Sequence, residues 1–162
     1  MLIAHPPCTY LSNIGARHLY AGGNLNKERY KQGLEAKDFF LQFYNASVKK
    51  ICVENPIPSK VFELPPYTQI IQPYEYGHRE SKKTCLWLKG LEPLKPTHVT
   101  EPPYTTLRSP NSWYNKGGVE RQRNRSKTFK GIAEAMAWQW GGVINEYSNA
   151  RGSSKGIRKQ TD

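Results

Sequence analysis

The first residues that could do chemistry form the stretch His5-Pro6-Pro7-Cys8, which follows the apolar run Leu2-Ile3-Ala4. An apolar run that stops at two prolines predicts a buried strand, with the cysteine on the loop beyond its carboxyl end. Ligands bind at that edge in open α/β sheets. A thiol there is a nucleophile when positive charge or backbone N–H groups lower its pKa from about 8.5. The alternative is that Cys8 is a small buried hydrophobic residue after a Pro-Pro turn.

A carboxylate also stands at the predicted end of a strand. Residues 48–53 form an apolar segment that contains Cys52, which predicts a second buried strand with that cysteine in the core. The segment stops at Glu54-Asn55-Pro56, so Glu54 follows a strand as Cys8 does. A third polar stretch, residues 76–83, comes directly before an apolar strand predicted over residues 84–88.

A helix must return the chain from the first strand to the second. Asn26 is a suitable N-cap, and the apolar spacing predicts a helix that runs to about Tyr44 and ends at Asn45. Strand, helix and strand form a βαβ unit, which predicts a parallel sheet and an α/β fold. The stripe expected to face the sheet contains Tyr30, Leu34, Leu41 and Tyr44, with Phe40 beside it.

The remaining segments differ in character. Residues 12–26 are predicted to be a loop, either a mobile lid over Cys8 or an ordinary surface loop. Residues 69–72 predict a short strand, and residues 92–118 predict a long irregular connection. Residues 131–140 predict a helix whose stripe of Ile132, Met136 and Trp140 belongs to the core.

The chain is strongly basic. Its 24 Lys and Arg against 13 Asp and Glu leave a formal charge of +11, which favours a polyanionic partner, nucleic acid first. Residues 116–130 contain six basic residues. Arg121, Arg123 and Arg125 among them suit phosphate contacts, although such a run is also typical of solvated surface. The length predicts one domain over residues 1–147, followed by a disordered basic tail over residues 148–162.

Cysteine use and hydropathy exclude several classes of protein. Cys8, Cys52 and Cys85 are odd in number and far apart. This pattern argues against a disulfide scaffold or a metal site and favours a reducing compartment. No apolar run approaches the ~18 residues of a membrane span, and no signal peptide follows Met1. We therefore expect a cytoplasmic protein without membrane contact.

The three polar stretches resemble, in order and in position, the second half of the catalytic domain of cytosine-C5 DNA methyltransferases. In that family a Pro-Pro-Cys loop, a Glu-Asn-Val segment and a Gln-x-Arg-x-Arg segment follow one another. The chain resembles in particular the small phage-type relatives, whose ends carry a stretch similar to residues 127–137. The resemblance covers roughly residues 1–141. It implies a partial Rossmann-like, methyltransferase-type and mostly parallel sheet with a long irregular C-terminal segment.

The resemblance implies a reaction and roles in it. Cys8 would add as a thiolate to C6 of a flipped cytosine while Glu54 hydrogen-bonds N3 and the amino edge. C5 would then accept the methyl group of S-adenosylmethionine. If the chain is phage-encoded, the setting would be the cytoplasm of a bacterial host. The resemblance implies that the DNA substrate is bound by Pro7, Asn55, Glu80, Lys82 and Arg17. Among these, Asn55 would orient the loop or a backbone group, and Lys82 and Arg17 would hold the DNA backbone together with Arg121, Arg123 and Arg125.

The chain departs from the family pattern in the third stretch. Glu80, Lys82 and Thr84 stand where the family has Gln, Arg and Arg, and Pro56 follows Glu54-Asn55 in place of valine. Lysine keeps the charge of arginine but not its two-pronged geometry. The positive charge around the thiol is therefore weaker than the family pattern provides.

A second departure concerns the methyl-donor pocket. The family builds that pocket upstream of the Pro-Pro-Cys loop, whereas Gly22-Gly23 follows the loop here. We expect a missing N-terminal half, because the first strand starts at Met1. The alternatives are a two-chain enzyme, a relict that binds DNA without catalysis, and a different reaction on a C6-thiol adduct.

Two other functions fit the residues. The chain would be a non-catalytic, basic nucleic-acid-binding protein of phage type if Cys8 is only structural. It would be a cysteine hydrolase if Cys8 works with His5, His18 or His78. Spacing alone does not assemble a Cys-His-Asn/Asp set for the second of these functions.

Overall fold

The computed structural model describes residues 1–101, 105–106 and 127–142. The predicted phosphate contacts at Arg121, Arg123 and Arg125, the predicted tail and most of the predicted connection over 92–118 lie outside these residues. The elements are, in order, β1 (Leu2–Ala4), α1 (Asn13–Ala16), α2 (Lys27–Tyr44), β2 (Ile51–Pro56), β3 (Gln69–Ile71), β4 (Glu80–Ser81), β5 (Thr84–Lys89), β6 (Thr105–Thr106) and α3 (Lys130–Gly141).

Four strands form one mixed sheet in the order β1-β2-β5-β3. β1 and β2 pair in parallel, with Leu2 opposite Ile51 and Ala4 opposite Val53, and α2 connects them. The predicted βαβ unit is therefore confirmed. The sheet is mixed, because β5 lies between β2 and β3 and runs antiparallel to both. A separate two-stranded parallel ladder joins β4 to β6.

The second strand lies three residues later than predicted. We expected residues 48–53, whereas β2 runs from Ile51 to Pro56. Its antiparallel ladder with β5 continues until Pro56 stands opposite Thr84. Glu54 and Asn55 are therefore strand residues with alternating side chains, not loop residues beyond the strand. The remaining predicted elements, β1, β3, β5 and α3, are confirmed.

Helix α2 begins and ends where its capping residues predict. The Asn26 side chain accepts a hydrogen bond from the Arg29 N–H (2.9 Å). At the other end, the Asn45 N–H donates to the Leu41 carbonyl oxygen (2.8 Å). These bonds satisfy backbone groups that the ends of a helix leave without partners.

The face of α2 that packs on the sheet differs from the expected stripe. Leu34 is 40% exposed, whereas Gly33 and Phe40 are buried. A side chain at position 33 would overlap the ring of Phe62, so the glycine lets the chain after β2 approach the helix. Phe40 packs edge-on against Trp87 of β5, with 5.0 Å between the ring centroids. The helix is turned toward these rings, and Leu34 faces outward as a result.

Helices cover both faces of the four-stranded sheet. Ile51 and Val53 of β2 are buried in a cluster with Phe40 of α2. Cys52, which points to the opposite face, is buried in a second cluster with Ile132, Met136 and Trp140 of α3. The core positions predicted for Cys52 and for the α3 stripe are thus confirmed. Helix–sheet–helix layering is the architecture of an α/β domain.

The region after Cys8 is not a simple loop. It contains α1, which the Ser12 hydroxyl caps by accepting from the Gly15 N–H (3.2 Å), and a short 3-10 helix at Ala21–Gly23. In the part of the chain that the structure describes, no helix has the length and apolarity to cross a membrane.

Candidate active site

The Cys8 loop is attached to the neighbouring strand. The Asn55 Nδ2 group donates a hydrogen bond to the Pro6 carbonyl oxygen (3.0 Å), and the Asn55 side chain is only 1% exposed. The Cys8 carbonyl oxygen accepts from the Ser12 N–H (3.1 Å). Cys8 itself is half-buried. The parallel pairing of β1 and β2 therefore brings the thiol loop and residues 54–55 to one edge of the sheet.

A hydrogen bond joins His5 and Glu54 at this edge. The distance from His5 Nδ1 to Glu54 Oε2 is 2.7 Å, and the side chains are 37% and 16% exposed respectively. Side chains two positions apart along a strand point to the same face of the sheet. His5 therefore shares a face with Ile3, and Glu54 shares a face with Cys52. Cys52 belongs to the cluster that contains the buried residues of α3, and Ile3 packs against that cluster. His5 and Glu54 thus lie on the α3 side of the sheet.

Arg29 of α2 supports the chain that follows Cys8. Its Nη2 group donates to the Gly15 carbonyl oxygen (3.1 Å) and to the Thr9 carbonyl oxygen (3.4 Å). The guanidinium carbon lies 5.0 Å from the centroid of the Tyr10 ring, which gives a cation–π contact. The Arg29 guanidinium therefore contacts both ends of the turn that connects Cys8 to α1.

None of the three cysteines forms a disulfide, and they lie in different environments. Burial, assisted by the nearby charge of Glu54, raises the pKa of Cys52 to about 12 and that of Cys85 to about 11. A thiol that holds its proton at neutral pH is a poor nucleophile. Cys8 is the one cysteine that is not buried, so it is the candidate nucleophile. In the described ranges, no group of three or more His, Cys, Asp or Glu side chains is placed to hold a metal ion.

The other predicted site residues lie around this edge. Pro7 is exposed beside buried Pro6. Glu80 belongs to β4, and the Lys82 ammonium lies 5.9 Å from the centroid of the Phe129 ring, just before α3. Arg17 is exposed at the end of α1, where its Nε donates to the His18 ring (3.1 Å). Because Thr84 stands opposite Pro56, Lys82 precedes β5 at the edge where β2 ends.

A groove of about 380 Å³ runs between β1 and α3 on the same side of the sheet. His5 and Thr128 contribute its polar groups, and the rest of the lining is mainly apolar. The start of α3 is fixed by His78, whose Nε2 accepts from the Gly131 N–H (2.9 Å). The lining consists of Met1, Ile3, His5, Thr128, Ala133, Met136, Ala137 and Gly141.

Two residues of the site had no role in the methyltransferase prediction. The sequence predicts His5 only as a hydrolase partner of Cys8 and gives no role to Arg29. His5 contacts a residue 49 positions away, and Arg29 contacts residues 14 and 20 positions away. Local spacing carries no signal for such contacts. The Pro-Pro break directly after His5 was the only hint, because it places this histidine at a strand end.

Comparisons of this chain with protein-family models, with curated proteins and with solved structures found no match.

Proposed function

We propose that this chain activates a flipped cytosine of DNA for substitution at C5, as the catalytic half of a cytosine-C5 DNA methyltransferase does. Cys8 is the nucleophile in this proposal, and Glu54 is the acid that holds the base. The observation that carries the proposal is the attachment of the half-buried Cys8 loop, through Asn55, to the strand that presents Glu54. Cys8 lies on the loop after β1 and Glu54 lies near the end of the adjacent parallel strand β2, at the edge where ligands bind in open α/β sheets.

The chemistry requires this pair of groups. The Cys8 thiolate forms a bond to C6, and the electron pair of the C5–C6 double bond moves through the ring as N3 takes a proton from the Glu54 carboxyl group. The adduct is then an enamine that is nucleophilic at C5. C5 then bonds an electrophile, which is a deuteron when the solvent is D₂O and no methyl donor is present. A base removes the original C5 proton, the released electron pair forms the C5–C6 double bond and expels the sulfur from C6, and N3 returns its proton to Glu54, which restores the aromatic ring.

DNA is the partner that the charge of the chain favours. A net charge of +11 suits a polyanion, and a cytosine must leave the base stack before a thiol can reach C6. Arg17 and Lys82 are described basic side chains near the edge of the sheet that suit backbone contacts. Arg121, Arg123 and Arg125 stay predicted contacts outside the described residues.

S-adenosylmethionine is the methyl donor that the resemblance implies, and the described residues do not fit it. Gly22 and Gly23 follow α1, not a strand, so they do not form the expected glycine-rich turn. The groove beside β1 has no carboxylate in its lining that could bind the donor's ribose. We therefore derive no methyl-transfer step from these residues. The proposal assigns donor binding to protein other than the described part of this chain, such as an N-terminal half or a partner chain.

The proposal also interprets the sheet as part of a Rossmann-like, methyltransferase-type fold. The β1–α2–β2 unit is the parallel element that such a fold repeats. Mixed sheets occur in many doubly wound proteins. Here β5 is antiparallel to both of its neighbours, so β2 and β3 run in the same direction.

Hydrogen exchange at C5 tests the proposal without a methyl donor. Addition of the thiol to C6 lets C5 take up a deuteron from D₂O, and reversal of the addition leaves deuterium in the base. We expect the full chain to deuterate cytosine in duplex DNA, measured by mass spectrometry of the nucleosides. Cys8→Ala should abolish the exchange, whereas Cys85→Ala should retain it. Exchange that is no faster with the wild-type chain than with Cys8→Ala would overturn the proposal.

The same assay identifies the second candidate, a non-catalytic nucleic-acid-binding protein. The charge of +11 supports that candidate independently of Cys8. Salt-dependent DNA binding that is equal in the wild-type chain and in Cys8→Ala, with no C5 exchange in either, would select it.

A further inference from the structure

His5 is the hydrogen-bond partner of Glu54. Its Nδ1–H donates to Oε2 over 2.7 Å, a length typical of charge-assisted hydrogen bonds. In the described residues this is the one hydrogen bond that the Glu54 carboxyl group makes, and it is made by Oε2. The bond crosses from the end of β1 to β2, next to the Asn55–Pro6 bond that attaches the Cys8 loop.

The orientation of the carboxyl group matters for the proposed reaction. Glutamate has three rotatable side-chain bonds, and an exposed carboxyl group samples many positions. A misplacement of about 1 Å in a reacting group can cost about 100-fold in rate. The His5 side chain is shorter than that of glutamate, and His5 directly follows β1, just before the prolines. A bond from this ring to Oε2 therefore restricts where Oε1 can lie.

The charge on Glu54 changes during base activation, and His5 is suited to that change. When the carboxyl group gives its proton to N3 of the base, a carboxylate remains, with 16% of its side chain exposed. A nearby Nδ1–H donor stabilises that carboxylate more than the neutral acid. The charge of Glu54 also acts in the core, where it contributes, after burial, to the raised pKa of both Cys52 and Cys85.

We infer that His5 is a positioning residue for Glu54, which directs Oε1 toward the N3 and amino edge of the cytosine and stabilises the carboxylate left after proton transfer. This inference rests on the proposed function. It adds a residue outside the Pro-Pro-Cys and Glu-Asn motifs, and it gives His5 a role different from that of a general base for Cys8.

A matched set of variants in the full chain tests the inference. In His5→Asn, the amide nitrogen can occupy the position of Nδ1, because both atoms are bonded to Cγ. His5→Leu retains an apolar side chain but has no donor. We expect His5→Leu to slow C5 deuteration at saturating DNA by about 10- to 100-fold, with the affinity for DNA unchanged. His5→Asn should recover most of the rate.

Two controls separate a positioning role from a folding defect. His98→Leu changes an exposed histidine outside the site and should leave the exchange rate unchanged. Thermal unfolding of each variant shows whether the fold is retained, and the contrast between His5→Asn and His5→Leu keeps the test valid if both are somewhat less stable.

The outcomes distinguish this inference from the proposed function. A wild-type chain without Cys8-dependent exchange overturns both. Exchange that is equally fast in the wild-type chain and in His5→Leu overturns only the role of His5, as does an equal loss of rate in His5→Leu and His5→Asn. A loss of DNA affinity without a loss of saturated rate would place His5 in DNA binding and would also overturn the inference.

Discussion

Replacing the Asn55 amide by a carboxyl group tests whether the Cys8 loop is held by the Asn55–Pro6 bond. In the wild-type chain, Nδ2 donates to the Pro6 carbonyl oxygen over 3.0 Å in a buried environment. Asn55→Asp exchanges one NH₂ group for oxygen with almost no change in volume. A carboxylate at this position would face the Pro6 carbonyl oxygen, and no hydrogen bond could form because both groups are acceptors. A protonated carboxyl group can instead donate to it.

The magnitude follows from linkage between protonation and folding. Burial and the Pro6 carbonyl oxygen favour the protonated acid, so the folded-state pKa of the new carboxyl group lies above its unfolded value of about 3.9. The folded variant then binds more protons than the unfolded chain. The free energy of unfolding of the variant, relative to the wild type, therefore falls as the pH rises above about 4. It falls by up to about 1.4 kcal/mol per pH unit until the pH reaches the folded-state pKa of the new carboxyl group. A shift of about 2 units costs about 3 kcal/mol at neutral pH, or roughly 9 °C in melting temperature.

Urea denaturation of the wild type and the variant between about pH 4.5 and pH 7 measures this difference. Asn24→Asp is the matched control, because Asn24 is exposed and the substitution adds the same charge. We expect the free energy of unfolding of Asn55→Asp to fall as the pH rises, relative to the wild type and to Asn24→Asp. Alkylation of Cys8 in Asn55→Asp should become faster over the same pH range. Parallel pH profiles for Asn55→Asp and Asn24→Asp would refute the structural reasoning.

Three further predictions concern the thiols and the turn after Cys8. Iodoacetamide at about pH 8 should label Cys8 in the native protein and spare the two buried thiols. The reason is that the thiolate fraction at this pH is about 1 in 10,000 for Cys52 and about 1 in 1,000 for Cys85. Peptide mass spectrometry measures the labelling, and equal labelling of all three cysteines would contradict the prediction. Stability should fall above about pH 9, because the unfolded chain releases thiol protons that the folded protein retains. The loss should be about 1.4 kcal/mol per buried thiol at about pH 10, and Cys85→Ala should remove about half of this pH dependence in chemical denaturation. Gly15→Ala should cost about 1–3 kcal/mol, because the added Cβ overlaps the Thr9 carbonyl group; an unchanged melting temperature would show that the turn shifts freely.

The elements with strong local signals could be predicted from the sequence. Helix α2 has Asn26 and Asn45 at its ends, and α3 has a regular apolar stripe at Ile132, Met136 and Trp140. Capping and periodicity act between residues a few positions apart, so a single sequence contains them in full. The same holds for β1, which the Pro-Pro pair ends, and for the burial of Cys52.

Direction and register depended on residues far along the chain. β2 extends to Pro56 because its ladder with β5 continues to Thr84, and the sheet is mixed because β5 lies between β2 and β3. Leu34 faces solvent because Phe62 fills the space beside Gly33. None of these partners is adjacent in sequence, so periodicity within one segment carries no information about them.

In the candidate site, too, some features are visible in the sequence and others depend on the tertiary structure. The sequence by itself determined which side chains have useful chemistry, because a thiol after a strand and a carboxylate near the end of the next are visible as residue types and spacing. Only the tertiary structure decided that Asn55 attaches the Cys8 loop, that His5 pairs with Glu54 and that Arg29 supports the following turn. The physical reason is that hydrogen bonds of this kind depend on distances of about 3 Å. Packing of the sheet and of α2 sets those distances, and local preference does not.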